Sequence, residues 1–241
     1  KPLQKKLNKQ FENIYLETEL ISGEETDAGI QVKMKNKEGE FSESYDGVLV
    51  SVGRKPNTDE IGLKNAGIKK SVQGFLEVNK FQQTSTKTIY AIGDTAGEPM
   101  LAHKAAYEGV IAAEHIAGRP SQFDARAIPA VVFTNPEIAW AWLTETEAQE
   151  KSIDYGKGEF PWAASGKATV LGFREGKTKI LFNPKTKQVL GAGIVGPGAG
   201  DLISEAVLAI EMGADAEDIG QTIHPHPTLS ETMSNAAEVF L

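Results

Sequence analysis

The chain has 241 residues, with 33 acidic against 25 basic side chains, a formal charge of −8 and no cysteine. The acidic balance argues against nucleic acid or an anionic membrane surface as a partner, because phosphates must be neutralised by clustered Lys and Arg. The lack of cysteine excludes a disulfide scaffold, a zinc ribbon, an iron–sulfur site and a Cys nucleophile within the chain, and no apolar run approaches the roughly 18 residues of a bilayer span.

Leu3, Leu7 and Phe11 recur every fourth residue and predict an N-terminal helix. Residues 13–18 and 30–34 read as short strands, 36–39 as a turn and 41–45 as a possible return strand. The β-branched run 45–52 predicts a buried strand broken at Gly53, and 59–66 a short helix closed by Gly67. Residues 74–78 and 88–92 read as further strands, the second buried and ending at Gly93-Asp94. A helix over 103–117 stops at Gly118, and 119–124 reads as a connection between domains.

Beyond it, 128–133 reads as a strand entering a turn at Asn135-Pro136, followed by a solvated Glu137. Thr144 and Glu147 form a capping-box pattern opening a helix over 144–151. Residues 178–182 and 188–195 flank the turn Asn183-Pro184-Lys185-Thr186 and predict a β-hairpin. Helices follow over 202–212, stopped by Gly213, over 216–220, and from Thr228 onward. This last part is therefore an α+β unit with an antiparallel sheet.

Gly191-Ala192-Gly193-Ile194-Val195-Gly196 matches G-x-G-x-x-G literally, with Glu211 some way beyond it. A dinucleotide fingerprint needs the helix to open at the glycines, so that its N-terminus meets the pyrophosphate. Here Leu190, Ala192 and Ile194 continue a strand alternation, and Pro197-Gly198 delays the helix to about Asp201. The segment is read as a glycine-rich strand exit.

Four segments could carry chemistry. Thr88-Ile89-Tyr90-Ala91-Ile92-Gly93-Asp94 delivers a carboxylate at a strand end, suited either to ribityl or ribose hydroxyls or to capping a turn. Pro99-Met100-Leu101-Ala102-His103-Lys104-Ala105 opens a helix whose free N–H groups favour negative charge, or is an ordinary helix entry. Residues 49–57 run from a strand through Gly53 into a turn. His224-Pro225-His226-Pro227-Thr228-Leu229-Ser230-Glu231 holds two histidines, each before a proline, and repeats the capping-box spacing from Thr228 to Glu231. Glu231 can cap the helix, orient His226, or do both with its two oxygens, and a rigidly aimed His backed by a carboxylate is a general-base design.

Taken in this order, these motifs resemble the C-terminal half of the dihydrolipoamide dehydrogenases, a branch of the FAD-dependent pyridine nucleotide-disulfide oxidoreductases, most strongly over 48–238. Tyr90-Ala91-Ile92-Gly93-Asp94 is similar to the family's second FAD motif, and Met100-Leu101-Ala102-His103 to its flavin-contacting segment. Residues 160–168, 135–139 and 191–200 resemble the same branch, and 226–231 its catalytic His with a Glu partner.

The resemblance implies His226 and Glu231 as catalytic residues, Asp94, Met100, Leu101, Ala102 and His103 as FAD contacts, Gly53 and Leu20 at an NAD site, and no metal. It implies remnants of two doubly wound α/β domains, NAD-binding over 1–58 and FAD-binding over 59–124, then an α+β interface domain over 125–241. The implied parent enzyme oxidises protein-bound dihydrolipoamide through a redox disulfide and FAD to NAD+. It works as a homodimer beside the lipoyl domain of an acyltransferase, in the cytoplasm or, alternatively, the mitochondrial matrix. The chain lacks the redox cysteines and both dinucleotide fingerprints, and begins without Met. It is therefore expected to be a fragment that dimerises but is inactive alone. A glutathione reductase-like enzyme and a non-catalytic dimerisation module are the alternatives.

Overall fold

The computed structural model describes all 241 residues, which divide into two compact units: 4–55, and 56–241 together with 1–3. Helix α1 (Pro2–Gln10) opens the chain.

In the smaller unit β1 (Glu19–Thr26), β2 (Gly29–Asn36) and β3 (Gly39–Tyr45) form an antiparallel meander. Ile30 pairs with Tyr45 and Met34 with Phe41. Residues 13–18 are not a strand: the first ladder starts at Glu19, and Tyr15 instead packs its ring against that of Phe41, centroids 5.1 Å apart and tilted by 58°. The run 45–52 is not a buried strand either. Strand β3 ends at Tyr45, no ladder forms beyond it, and Leu49 and Val52 are 93% and 87% exposed. A β-branched run becomes a central strand only where neighbours accept and donate its backbone hydrogen bonds, and this chain provides none there.

In the larger unit, 59–66 forms a bend and then a turn rather than a helix, and 74–78 and 88–92 contribute only the isolated bridges Lys70–Leu76 and Gln83–Tyr90. Helix α2 (Ala102–Ile116) follows. Next come β4 (Pro129–Val132), β5 (Ile138–Trp142), α3 (Glu145–Glu150), β6 (Gly156–Pro161), α4 (Gly166–Val170), β7 (Lys177–Phe182) and β8 (Val189–Val195). Helices α5 (Ala199–Met212), α6 (Ala216–Gln221) and α7 (Glu231–Phe240) complete the chain. The five strands make one antiparallel sheet in the order β4-β5-β8-β7-β6.

Helices α5 and α7 pack their alanine-rich faces, including Ala206, Ala236 and Ala237, on this sheet. Small side chains let the helix backbones approach closely, and α7 lies so near β6 that a Cβ on Gly158 would stand 1.8 Å from the Ala236 carbonyl oxygen. The core is completed by Trp162, Ile180, Phe182, Ile194, Ile203 and Met233.

Local signals act as the sequence indicates in three places. Thr144 and Glu147 make both bonds of a capping box on α3. Gly213 ends α5 in the left-handed conformation. Strand β8 runs straight through Gly191 and Gly193, and α5 opens only at Ala199, as expected of a strand exit rather than a dinucleotide site. Glu137 departs from its expected solvated role. It is half-buried, and its carboxylate accepts the Gly200 N–H at 3.0 Å, supplying α5 with the cap that Gly198 cannot. No helix is long and apolar enough to cross a membrane.

Candidate active site

The segment between α6 and α7 carries both histidines of the His-Pro-His-Pro run, with the His226–Pro227 bond in the cis form. His226 Nδ1 lies 2.8 Å from Glu231 Oε1, while Glu231 Oε2 accepts the Thr228 backbone N–H at 2.7 Å. One carboxylate thus aims the ring and closes the turn. An ionised carboxylate only accepts, so the shared proton sits on Nδ1 and the Nε2 lone pair is left free. The His226 side chain is 79% exposed, so Nε2 is open to a reactant. The Thr228 N–H first, and His226 second, hold the Glu231 carboxyl below the usual glutamate value.

Helix α7 starts at Glu231 with Ser230 as its N-cap, later than the expected start at Thr228. The reason is the Thr228 hydroxyl, which donates to the Pro225 carbonyl at 2.7 Å and accepts from Ser230 at 2.8 Å. Only the Glu231 half of the capping box forms.

His224 is instead buried and held at both ring nitrogens. Its Nδ1 lies 2.8 Å from the Thr222 carbonyl and its Nε2 2.8 Å from Glu205 on α5, with the side chain only 6% exposed. Both ring nitrogens are occupied, so His224 is a tether between the turn and α5. Glu205 had no local sequence signal, because it is distant in sequence and meets the turn only through the fold.

A second cluster surrounds the start of α2. Asp94 is exposed in a short 3-10 turn, Gly93–Thr95. Gly93 donates its N–H to Glu108 at 2.6 Å, the other oxygen of Glu108 pairs with Lys104 at 2.7 Å, and Lys104 also donates to the Gly97 carbonyl at 3.2 Å. Lys104 and Glu108 are 6% and 5% exposed, so a buried ion pair anchors the loop to the helix. An i,i+4 Lys–Glu spacing was visible in the sequence, but its burial was not.

Leu101 caps α2 with no side-chain bond, which leaves the first N–H groups of the helix open. Met100 and Leu101 are half-buried and Ala102 and His103 exposed. The His103 ring is tied to the Pro129 carbonyl at 2.8 Å. An acceptor at Asp94 and donors at the start of α2 thus flank one loop, a donor set that fits polyol hydroxyls and an electron-rich heterocycle.

Leu20 and Gly53 lie in the 4–55 unit. Leu20 pairs with Met34, and Gly53 holds a left-handed φ of 121° in the ladder-free stretch.

Two family models match the chain: pyridine nucleotide-disulphide oxidoreductase over residues 1–109, and the pyridine nucleotide-disulphide oxidoreductase dimerisation domain over 128–237. The chain is 47% identical over 236 residues to the dihydrolipoyl dehydrogenase of Haemophilus influenzae, covering 98% of this chain and 49% of that protein. It is 52% identical over 196 residues to that of Buchnera aphidicola subsp. Schizaphis graminum, covering 81% and 41%. Among solved structures, LpdA from Mycobacterium tuberculosis superposes with a TM-score of 0.89 at 29% identity, over 98% of this chain and 51% of that one. The chain spans about half the length of the curated relatives it matches.

Proposed function

Because the chain belongs to the pyridine nucleotide-disulphide oxidoreductases, we propose that it is the part of a dihydrolipoamide-oxidising enzyme that supplies the catalytic base and the dimer interface. The observation that carries this reading is the His226–Glu231 pair: an exposed imidazole with Nδ1 held by a carboxylate and Nε2 free. Nε2 takes the proton of a dihydrolipoamide thiol, because the thiolate and not the thiol attacks a disulfide. Glu231 keeps the ring in the reactive tautomer and balances the charge that forms on it. The attacked disulfide comes from residues outside this chain, which has no cysteine.

FAD fits the second cluster. Asp94 would accept from its ribityl hydroxyls, and the open N–H groups at the start of α2, beside Met100, Leu101, Ala102 and His103, would face the electron-rich edge of its ring. When bound, FAD supplies the electron relay between the dithiol and NAD+. Gly53 and Leu20 are assigned to the NAD site on the motif resemblance. The same resemblance carries the division into NAD-binding (1–58), FAD-binding (59–124) and interface (125–241) parts, the lipoyl domain of an acyltransferase as partner, and a cytoplasmic location.

The test is oxidation of dihydrolipoamide by NAD+, with glutathione as the competing thiol, in the full-length protein carrying this sequence. Turnover with dihydrolipoamide and none with glutathione is expected. Preference for glutathione, or no flavin in the purified protein, would overturn the proposal.

A further inference from the structure

A line of buried hydrogen bonds runs through the larger unit and ends at the turn between His226 and Glu231. Trp162 Nε1 lies 3.0 Å from Thr178 Oγ1 on β7, Thr178 Oγ1 lies 2.7 Å from Thr232 Oγ1 on α7, and Thr232 Oγ1 lies 2.6 Å from the Leu229 carbonyl oxygen. Trp162, Thr178 and Thr232 are all fully buried, so water cannot substitute for any partner.

The direction of every bond is fixed by chemistry. An indole N–H only donates and a carbonyl oxygen only accepts, and each hydroxyl has a single proton to give. Trp162 therefore donates to Thr178, Thr178 to Thr232, and Thr232 to Leu229. Buried and fully satisfied, such a line specifies one arrangement, because any shift orphans a polar group in a dry core.

The groups fixed at its end matter for the candidate base. Thr232 follows Glu231 directly, and Leu229 stands between Thr228 and Ser230 in the turn that Glu231 closes. The Leu229 carbonyl takes both the hydroxyl and the N–H of Thr232, the latter at 3.1 Å. These two hydrogen bonds to one oxygen set how the first turn of α7 meets the 222–230 segment, and so where the Glu231 carboxylate stands relative to His226.

We propose that Thr232, Thr178 and Trp162 are positioning residues for the His226–Glu231 pair, transmitting the register of the sheet to the first turn of α7. The catalytic meaning of this device rests on the function proposed above, but its physical content does not. The experiment therefore reads the His226 ring directly, in the 241-residue chain, without activity.

The ring nitrogen shifts of His226, measured by ¹⁵N NMR at a pH where the ring is neutral, report which tautomer is held. The parent chain should show Nδ1–H as the major tautomer. Thr232→Val keeps the shape, removes the hydroxyl and strands the Thr178 proton; it should cut the Nδ1–H to Nε2–H ratio about fivefold, the equivalent of one hydrogen bond's net contribution. Thr232→Ser restores the hydroxyl and should return the ratio to the parent value.

Trp162→Phe keeps a buried aromatic ring, deletes the first donor along with part of the indole's volume, and should move the ratio in the same direction by less. It stands in for Thr232→Val if that variant does not fold. An unchanged ratio in folded Thr232→Val, or in Trp162→Phe where Thr232→Val is unfolded, overturns the proposal. So does a failure of Thr232→Ser to restore the ratio. A shifted ratio together with an inactive full-length enzyme would overturn only the function, so the two claims fail separately.

Discussion

Each oxygen of Glu231 has its own donor, Thr228 N–H on one and His226 Nδ1 on the other, and this division gives a pH signature. The carboxyl is held below 4.5 in the folded chain, chiefly by the Thr228 N–H and then by His226. A depressed carboxyl adds stability above the unfolded value and loses it as pH falls through the folded one. Glu231→Gln should therefore be less stable than the parent chain above pH 4.5, with the gap closing below it, as checked by urea unfolding across pH. At Gly93 the constraint is steric: φ is +66°, and an added Cβ would sit 2.9 Å from the Ala105 Cβ. Gly93→Ala should cost about 1–2 kcal/mol from the left-handed backbone alone, measured by thermal unfolding, and should weaken flavin retention in the full-length protein. The sequence already placed His226 and Glu231 five positions apart behind a rigid proline, so the pair was legible from local spacing. The role of Thr228 was not, because its hydroxyl chose the Pro225 carbonyl over the helix.

Two tethers show how elements hold what the residues do. Lys104 and Glu108 are buried together on α2 and fasten the 93–97 loop. Lys104→Ala would leave the Glu108 charge buried without its partner and should cost about 3 kcal/mol, read from chemical denaturation. Lys104→Met with Glu108→Gln removes both charges, keeps an acceptor for the Gly93 N–H, and should cost clearly less. His224 ties the other segment to α5 through Glu205. His224→Leu should lower kcat of the full-length enzyme about tenfold by letting the His226 turn drift, with little change in the KM for NAD+. Elements with local signals were readable in advance: the α3 capping box, the β7–β8 hairpin and the glycine stop of α5. Strand β6 was not, since Gly156 and Gly158 lack strand propensity and are demanded by the close passage of α7. The runs 45–52 and 88–92 misled in the opposite sense, because β-branched composition reports fitness for a sheet while the ladder itself depends on neighbours elsewhere in sequence.

At the scale of the molecule, large apolar side chains remain open in the unit that matches the dimerisation domain, among them Phe133 at 83%, Met212 at 77% and Leu208 at 63% exposure. Together with the match to the dimerisation domain they predict self-association, and sedimentation equilibrium at micromolar concentration should give about twice the 26.0 kDa chain mass. Only monomer would count against it. The antiparallel α+β architecture from β4 to α7 could be anticipated from the sequence because its strands and helices pack on one another within the chain. In the proposed dihydrolipoamide oxidation, His226 would serve the dithiol half of the reaction and not the nicotinamide half. Rapid-mixing spectroscopy of the full-length protein with His226→Gln separates them. Flavin reduction by dihydrolipoamide should slow by about a hundredfold or more, the usual contribution of a general base, while flavin reduction by NADH keeps its parent rate. Equal slowing of both halves, or of neither, would contradict that role for His226.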